Sequence, residues 1–199
     1  VHLSAAQVRD MLDTDFYADA FLNPSSLQIN PLNLALYMAG EAVAGGASVF
    51  EGSRAVSIYR QGADWIVKTK RGKIRARHVV LAGGAHLGCL WPRLGLATVP
   101  IASFVMSTES VPDRLKQAIR TDYAISDARV ATDYYRILPD GRLLWGGRAS
   151  AIEWSAPRAK RQLQSDLERI YPQLADLDIE FTWSGLMPIA RHRMPGNGH

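Results

Sequence analysis

One cysteine in 199 residues, Cys89, leaves no internal disulfide and no multi-cysteine metal site, and it favours a reducing, cytoplasmic setting. No apolar run approaches the ~20 residues that a membrane-spanning helix requires, and no signal-peptide pattern is visible. No sign of charge dominates. Lys and Arg number 23 against 19 Asp and Glu, for a net charge of +4 and a pI near 9.4. The bases are scattered, and their densest cluster, Lys68 to Arg77, falls on an expected hairpin, so a solvated surface is expected rather than a nucleic-acid footprint. There is no nucleophile elbow, no metal-ligand spacing, no internal repeat and no low-complexity segment. Hydrolytic triads and metal centres are thereby set aside, and no catalytic residue stands out.

What is present starts with RARHVVLAGGA, residues 75 to 85. Val79 to Ala82 form a short apolar run with no polar face, which suits a strand buried on both sides in a parallel sheet. Gly83-Gly84 at its carboxyl end either let backbone approach a ligand that a Cβ would exclude, or make an ordinary turn. Residues 47–51 are expected to be a parallel strand beside 79–82. Between them, 54–60, 63–70 and 73–77 read as an antiparallel meander turning at Gln61-Gly62 and Arg71-Gly72.

Around this lie further elements. Ser4 with Gln7 forms a capping box for a helix through Leu12. Residues 15–30 read as a loop. Asn30-Pro31 opens a helix to Ala44 that is apolar nearly all round, with Glu41 its only charge, and such a helix is expected to be buried in a larger body. Beyond Leu96 the pattern becomes a strand over 98–108, a short helix over 112–119 and a hairpin of 133–138 with 142–147. The hairpin turns through Pro139-Asp140-Gly141. An amphipathic helix over 157–171 follows, with Ala159, Leu163, Leu167 and Ile170 inward, and then a strand over 177–188. Strands covered by helices make an antiparallel α+β domain.

On the hairpin, the period of two puts Tyr134 and Arg136 on one face and Tyr135 on the other. A guanidinium beside an aromatic ring suits a carboxylate clamp, because it meets a carboxylate with two parallel hydrogen bonds; an exposed, solvated face is the alternative. Trp183 either lines a ligand cavity or packs ordinarily. His86 follows the glycine pair and is open between a ligand contact and solvent. Cys89, beside Leu90 and Trp91, reads as a buried small hydrophobe.

Four stretches in order resemble the D-amino-acid-oxidase-like family of FAD-dependent amine oxidoreductases, nearest to its γ-glutamylputrescine oxidoreductase branch. They are INPLNLALYMAGEAVAGGASVFEGSRAVSI (29–58), HVVLAGGAHLGCLWPRLG (78–95), DYYRILPDGRLLWGG (133–147) and FTWSGLMPIARHRMPGNG (181–198). The resemblance implies an α/β plus α+β chain in which 1–96 are a partial FAD-binding domain with a β-meander. Residues 97–188 would be an antiparallel-sheet substrate domain, and 189–199 would return toward the FAD domain. It implies FAD as cofactor, contacted by Ala55, Ala82, Gly83 and Gly84, with Gly83 where the family usually has threonine. Tyr134, Arg136 and Trp183 become substrate contacts for a small-molecule amine or amino acid. Arg191, His192 and Arg193 fall where the family's chain passes the flavin, with His192 at a position where Asp is common.

The family opens with a strand–GxGxxG–helix unit that holds the FAD pyrophosphate, and no such pattern occurs here: Gly45-Gly46 and Gly83-Gly84 lack the third glycine. The sequence therefore reads as the middle half of a longer enzyme, inactive and free of bound FAD on its own, and prone to self-association through surface left bare. Oxidation of a C–N bond by hydride transfer to flavin is the expected activity of the intact protein. A related flavoenzyme with another substrate, or a non-catalytic binding module on the same scaffold, are the alternatives.

Overall fold

A computed structural model describes residues 1–191. The chain divides into two compact units, one of residues 1–28 with 101–187 and the other of 29–100 with the segment from 188 onward. The opening 28 residues thus pack with the antiparallel sheet. Their contribution explains it, since Val8 and Leu12 enter the sheet's core.

The chain begins with β1 (His2–Leu3), α1 (Ala5–Met11) and β2 (Ala20–Phe21), β1 pairing antiparallel with β2. The expected capping box is present: Gln7 N donates to Ser4 Oγ, and Ser4 N donates to Gln7 Oε1 at 2.9 Å.

In the second unit, α2 (Pro31–Ala44) starts where Asn30 and Pro31 dictate, with Asn30 Oδ1 accepting from Asn33 N at 3.1 Å. None of its residues is buried within this chain, and Leu32, Leu36, Tyr37 and Met38 are all exposed. The meander follows as β3 (Ala55–Gln61), β4 (Asp64–Thr69) and β5 (Lys73–Ala76), in that spatial order. Gly62, at φ 64°, makes the first turn, and Ile66 is buried.

The two expected parallel strands are a correction. Residues 47–51 and 79–82 are irregular, and Val80 is 88% exposed. A strand exists through its ladder, and neither segment has a ladder partner among the described residues, so apolar composition alone does not make them strands. Two short 3-10 turns, Gly84–His86 and Gly88–Leu90, come next, and then α3 (Pro92–Ala97).

The remaining elements are β6 (Thr98–Ser110), α4 (Pro112–Ala118), β7 (Ile125–Ser126), β8 (Tyr134–Ile137), β9 (Arg142–Ser150), α5 (Ala156–Ile170) and β10 (Ile179–Ala190). They form a five-stranded sheet in the order β10-β6-β9-β8-β7. The β8–β9 turn runs through Gly141 at φ 77°, a conformation that glycine adopts without strain.

One face of the sheet carries the core. Ala102, Phe104 and Met106 of β6, Leu143 and Trp145 of β9 and Tyr135 of β8 are buried. They belong to one cluster with Leu115 of α4 and with Ala159, Leu163, Leu167 and Ile170 of α5. Full burial of a Leu such as Leu163 or Leu167 contributes about 1.5–3 kcal/mol. Trp145 stacks on Tyr135 with ring centroids 4.3 Å apart. Between Ser103–Ala149 and Phe104–Gly147 the register of β6 and β9 slips by one residue, leaving Arg148 as the bulge at φ 59°.

Candidate functional site

Since strand side chains alternate, the residues between the core positions lie on the opposite face of the sheet. On β8 these are Tyr134 and Arg136; on β9, Leu144 and Gly146; on β6, Ser103 and Val105. On β10, Leu186 packs against the core, which assigns Trp183 and Met187 to the face away from it. Tyr134, Arg136 and Trp183, the three expected substrate contacts, thus lie on one face of the sheet, with β9 and β6 between the strand of the first two and that of Trp183. Tyr134 is 40% and Trp183 46% exposed, while Arg136 is half-buried. Arg136 Nη1 donates to Gln28 Oε1 at 3.4 Å. Tyr135, as its alternation required, sits in the core at 2% exposure.

Cross-strand registry places Val105 opposite Gly146 and Gly146 opposite Tyr134, with Ser107, Leu144 and Arg136 forming the next row. Tyr134 Oη and Ser103 Oγ are 3.4 Å apart. The phenol therefore extends from β8 over β9 toward β6. Neither Ser103 nor Gly146 stood out in the sequence; the Gly146-Gly147 pair after Trp145 was the available signal.

Behind β8 lies an ionic network that sequence reasoning also missed. Asp133 and Asp166 are each 1% exposed. Arg129 donates to Asp127 and to Asp133, and Arg148 and Arg169 both donate to Asp166. Burial, reinforced by the neighbouring Asp166 carboxylate, pushes the Asp133 carboxyl above its ordinary range, and Arg129 opposes the shift. The network pins the 127–133 loop from which β8 emerges. Nearby, Tyr135 Oη donates to Tyr17 Oη at 3.2 Å and lies 2.9 Å from Tyr171 Oη. Burial pushes the Tyr17 phenol up to about 12, and the Tyr135 and Tyr171 phenols rise for the same reason.

The expected cofactor residues lie in the other unit. Ala55 and Gly83 share a cleft of about 360 Å3 with Arg54, Val56, His86 and Leu87. Ala82 is exposed, and Gly84 adopts φ 52°, where a side chain would be strained. A Cβ on Gly83 would meet Leu87 Cδ1 at 3.2 Å, so glycine keeps this wall low. His86 is exposed at the cleft. Cys89 lines it too and is exposed, which corrects its expected burial; the short 3-10 turn at 88–90 has no buried residue. Arg191 is exposed, with its backbone N–H on Ala97 O at 3.1 Å, while His192 and Arg193 lie outside the described residues. Small residues and accessible backbone fit one end of a dinucleotide such as FAD, and this cleft is too small for a whole one. Among the described residues no group of His, Cys, Asp and Glu is arranged to hold a metal, and no helix is long and apolar enough to cross a membrane.

Solved structures of other proteins share this fold. Glycine oxidase from Geobacillus kaustophilus superposes with a TM-score of 0.81 at 21% identity, covering 98% of this chain and 52% of that one. L-proline dehydrogenase from P. horikoshii superposes with a TM-score of 0.82 at 17% identity, covering 100% and 55%. The family model described as DAO, FAD dependent oxidoreductase, matches residues 1–199, and the chain belongs to that family. Among curated relatives, gamma-glutamylputrescine oxidoreductase of Escherichia coli (strain K12) is 32% identical over 198 residues, 98% of this chain and 46% of that protein. Glycine oxidase of Bacillus subtilis (strain 168) is 25% identical over 155 residues, 75% and 40%. The chain spans about half the length, or less, of these curated relatives.

Proposed function

We propose that the full-length protein is an FAD-dependent oxidoreductase that oxidises a C–N bond of a small amine or amino acid. The observation that carries this reading is the placement of Tyr134, Arg136 and Trp183 on one face of the five-stranded sheet, opposite its packed core. On family membership, FAD when bound supplies the two-electron acceptor, and the protein supplies orientation and charge. Arg136 takes an anionic group of the substrate, Tyr134 forms the floor and Trp183 the wall against which the carbon chain lies. The relatives named for oxidation of γ-glutamylputrescine and of glycine support this substrate class. The meander unit, with Ala55, Ala82, Gly83 and Gly84, holds one end of the dinucleotide.

The test is Arg136→Lys in the flavin-loaded full-length enzyme, assayed across a panel of amines and amino acids. Loss of the bidentate geometry is expected to raise KM for anionic substrates about tenfold, which corresponds to ~1.4 kcal/mol, with flavin content unchanged. An unchanged kcat/KM for every substrate would return Arg136 to the role of a solvated surface residue. A full-length protein that reduces no flavin with any of them would instead be a binding module on this scaffold.

A further inference from the structure

We infer that Gly146 and Ser103 are positioning residues that lay the Tyr134 ring flat on the sheet and so determine which amines the face admits; the inference rests on the reading that this face receives the substrate. Gly146 is the direct cross-strand partner of Tyr134. A Cβ on Gly146 would stand 2.2 Å from Tyr134 Cε2 and Cζ and 2.5 Å from its hydroxyl. No carbon approaches another that closely, so the ring's position and any side chain at 146 exclude each other. The backbone of Gly146 is not in the left-handed region, so the glycine answers a need for space and not for an unusual torsion.

Ser103 supplies the second hold. Its Oγ, on β6, lies 3.4 Å from the phenol oxygen, at the far end of the ring from the strand that bears it. The ring is thereby held at both ends, by its own Cα on β8 and by the hydroxyl on β6, across the bare backbone of β9. Lying flat, it occupies little height above the sheet, and the volume over it stays open to a substrate's carbon chain. Swung up about χ1, it would fill that volume.

The clash at Gly146 involves only the tip of a two-torsion side chain, which can rotate away from a new methyl group. Gly146→Ala is therefore expected to fold normally with its tyrosine raised. Gly147, one residue on, makes the contrasting case: a Cβ there would meet the buried Asp133 carboxylate, which is pinned by Arg129 and cannot rotate away.

The experiment uses the flavin-loaded full-length enzyme and a series of amine substrates of increasing chain length. Gly146→Ala is expected to raise KM for the long members about tenfold and for the shortest less than about twofold, with kcat, flavin content and urea midpoint unchanged. Ser103→Ala, which leaves the seat intact, moves KM in the same direction by less, and Ser103→Thr restores it. In a Tyr134→Ala background, Gly146→Ala has no further effect, because the ring it displaces is gone. An equal effect of Gly146→Ala with and without Tyr134 overturns the inference. If Tyr134→Ala alone changes KM for no amine, the face is not the substrate site, and the proposed function and this inference fall together.

Discussion

Arg148 and Asp166 meet through two parallel hydrogen bonds, Nε to Oδ2 at 2.6 Å and Nη2 to Oδ1 at 2.7 Å, although Arg148 sits in the left-handed region at φ 59°. The bulge between β6 and β9 produces both facts. One inserted residue turns the Arg148 side chain from the open face of the sheet to the helical side, where the α5 carboxylate is buried.

Removing that guanidinium leaves a carboxylate of 1% exposure with Arg169 as its remaining partner. Arg148→Ala is expected to lower stability by about 3 kcal/mol, as breaking a buried pair does. Arg148→Gly should lose about 1 kcal/mol less, because glycine adopts the positive φ without the Cβ penalty. Urea denaturation of the two variants checks the order, and equal midpoints would show that the bulge holds no strain.

Gly147→Ala tests the neighbouring constraint. Its Cβ would stand 2.3 Å from Asp133 Oδ1, and Asp133 is 1% exposed and paired with Arg129. The expected cost is about 2–3 kcal/mol, the scale of overpacking against a group that cannot yield. Chemical denaturation beside Gly146→Ala, expected to be near neutral, separates fixed from movable neighbours.

The tyrosine cluster predicts an alkaline limb in the stability profile. Tyr17 has its folded pKa raised by burial from 10.0 to about 12, and Tyr135 and Tyr171 are shifted the same way. Above the unfolded value the unfolded chain has released the phenolic proton and the folded chain has not, so stability must fall as pH rises. The contribution is fully present below about pH 10 and for Tyr17 is lost by about pH 12. Denaturant midpoints measured across that window should drop in the native protein and drop less in Tyr17→Phe. A flat profile would show that the phenols are not protected.

The 199-residue chain purified by itself is expected to be colourless and associated. No GxGxxG occurs in its sequence to place a helix N-terminus at a pyrophosphate. Exposed Leu32, Leu36, Tyr37, Met38 and Val80 present apolar surface of the kind that drives association. A flavin absorption band surviving gel filtration would contradict the first expectation, and light scattering from a stable, dispersed monomer would contradict the second.

Sequence alone determined whatever depends on neighbours a few positions away. The Ser4–Gln7 box, the Asn30-Pro31 helix start, the meander turn at Gly62 and the hairpin turn at Gly141 all stand where capping and turn chemistry put them. The period of two separated Tyr135, in the core, from Tyr134 and Arg136 on the open face. Tertiary structure decided the rest, because each remaining feature needs a partner far along the chain. The apolar runs 47–51 and 79–82 looked like strands but have no ladder among the described residues, and apolar character cannot stand in for hydrogen-bonding partners. The seat of Tyr134 combines β8, β9 and β6, and the pairing of Asp166 with Arg148 depends on a one-residue slip in strand register. Pairing across strands and burial of charge are set by the assembled sheet, and no local pattern encodes them.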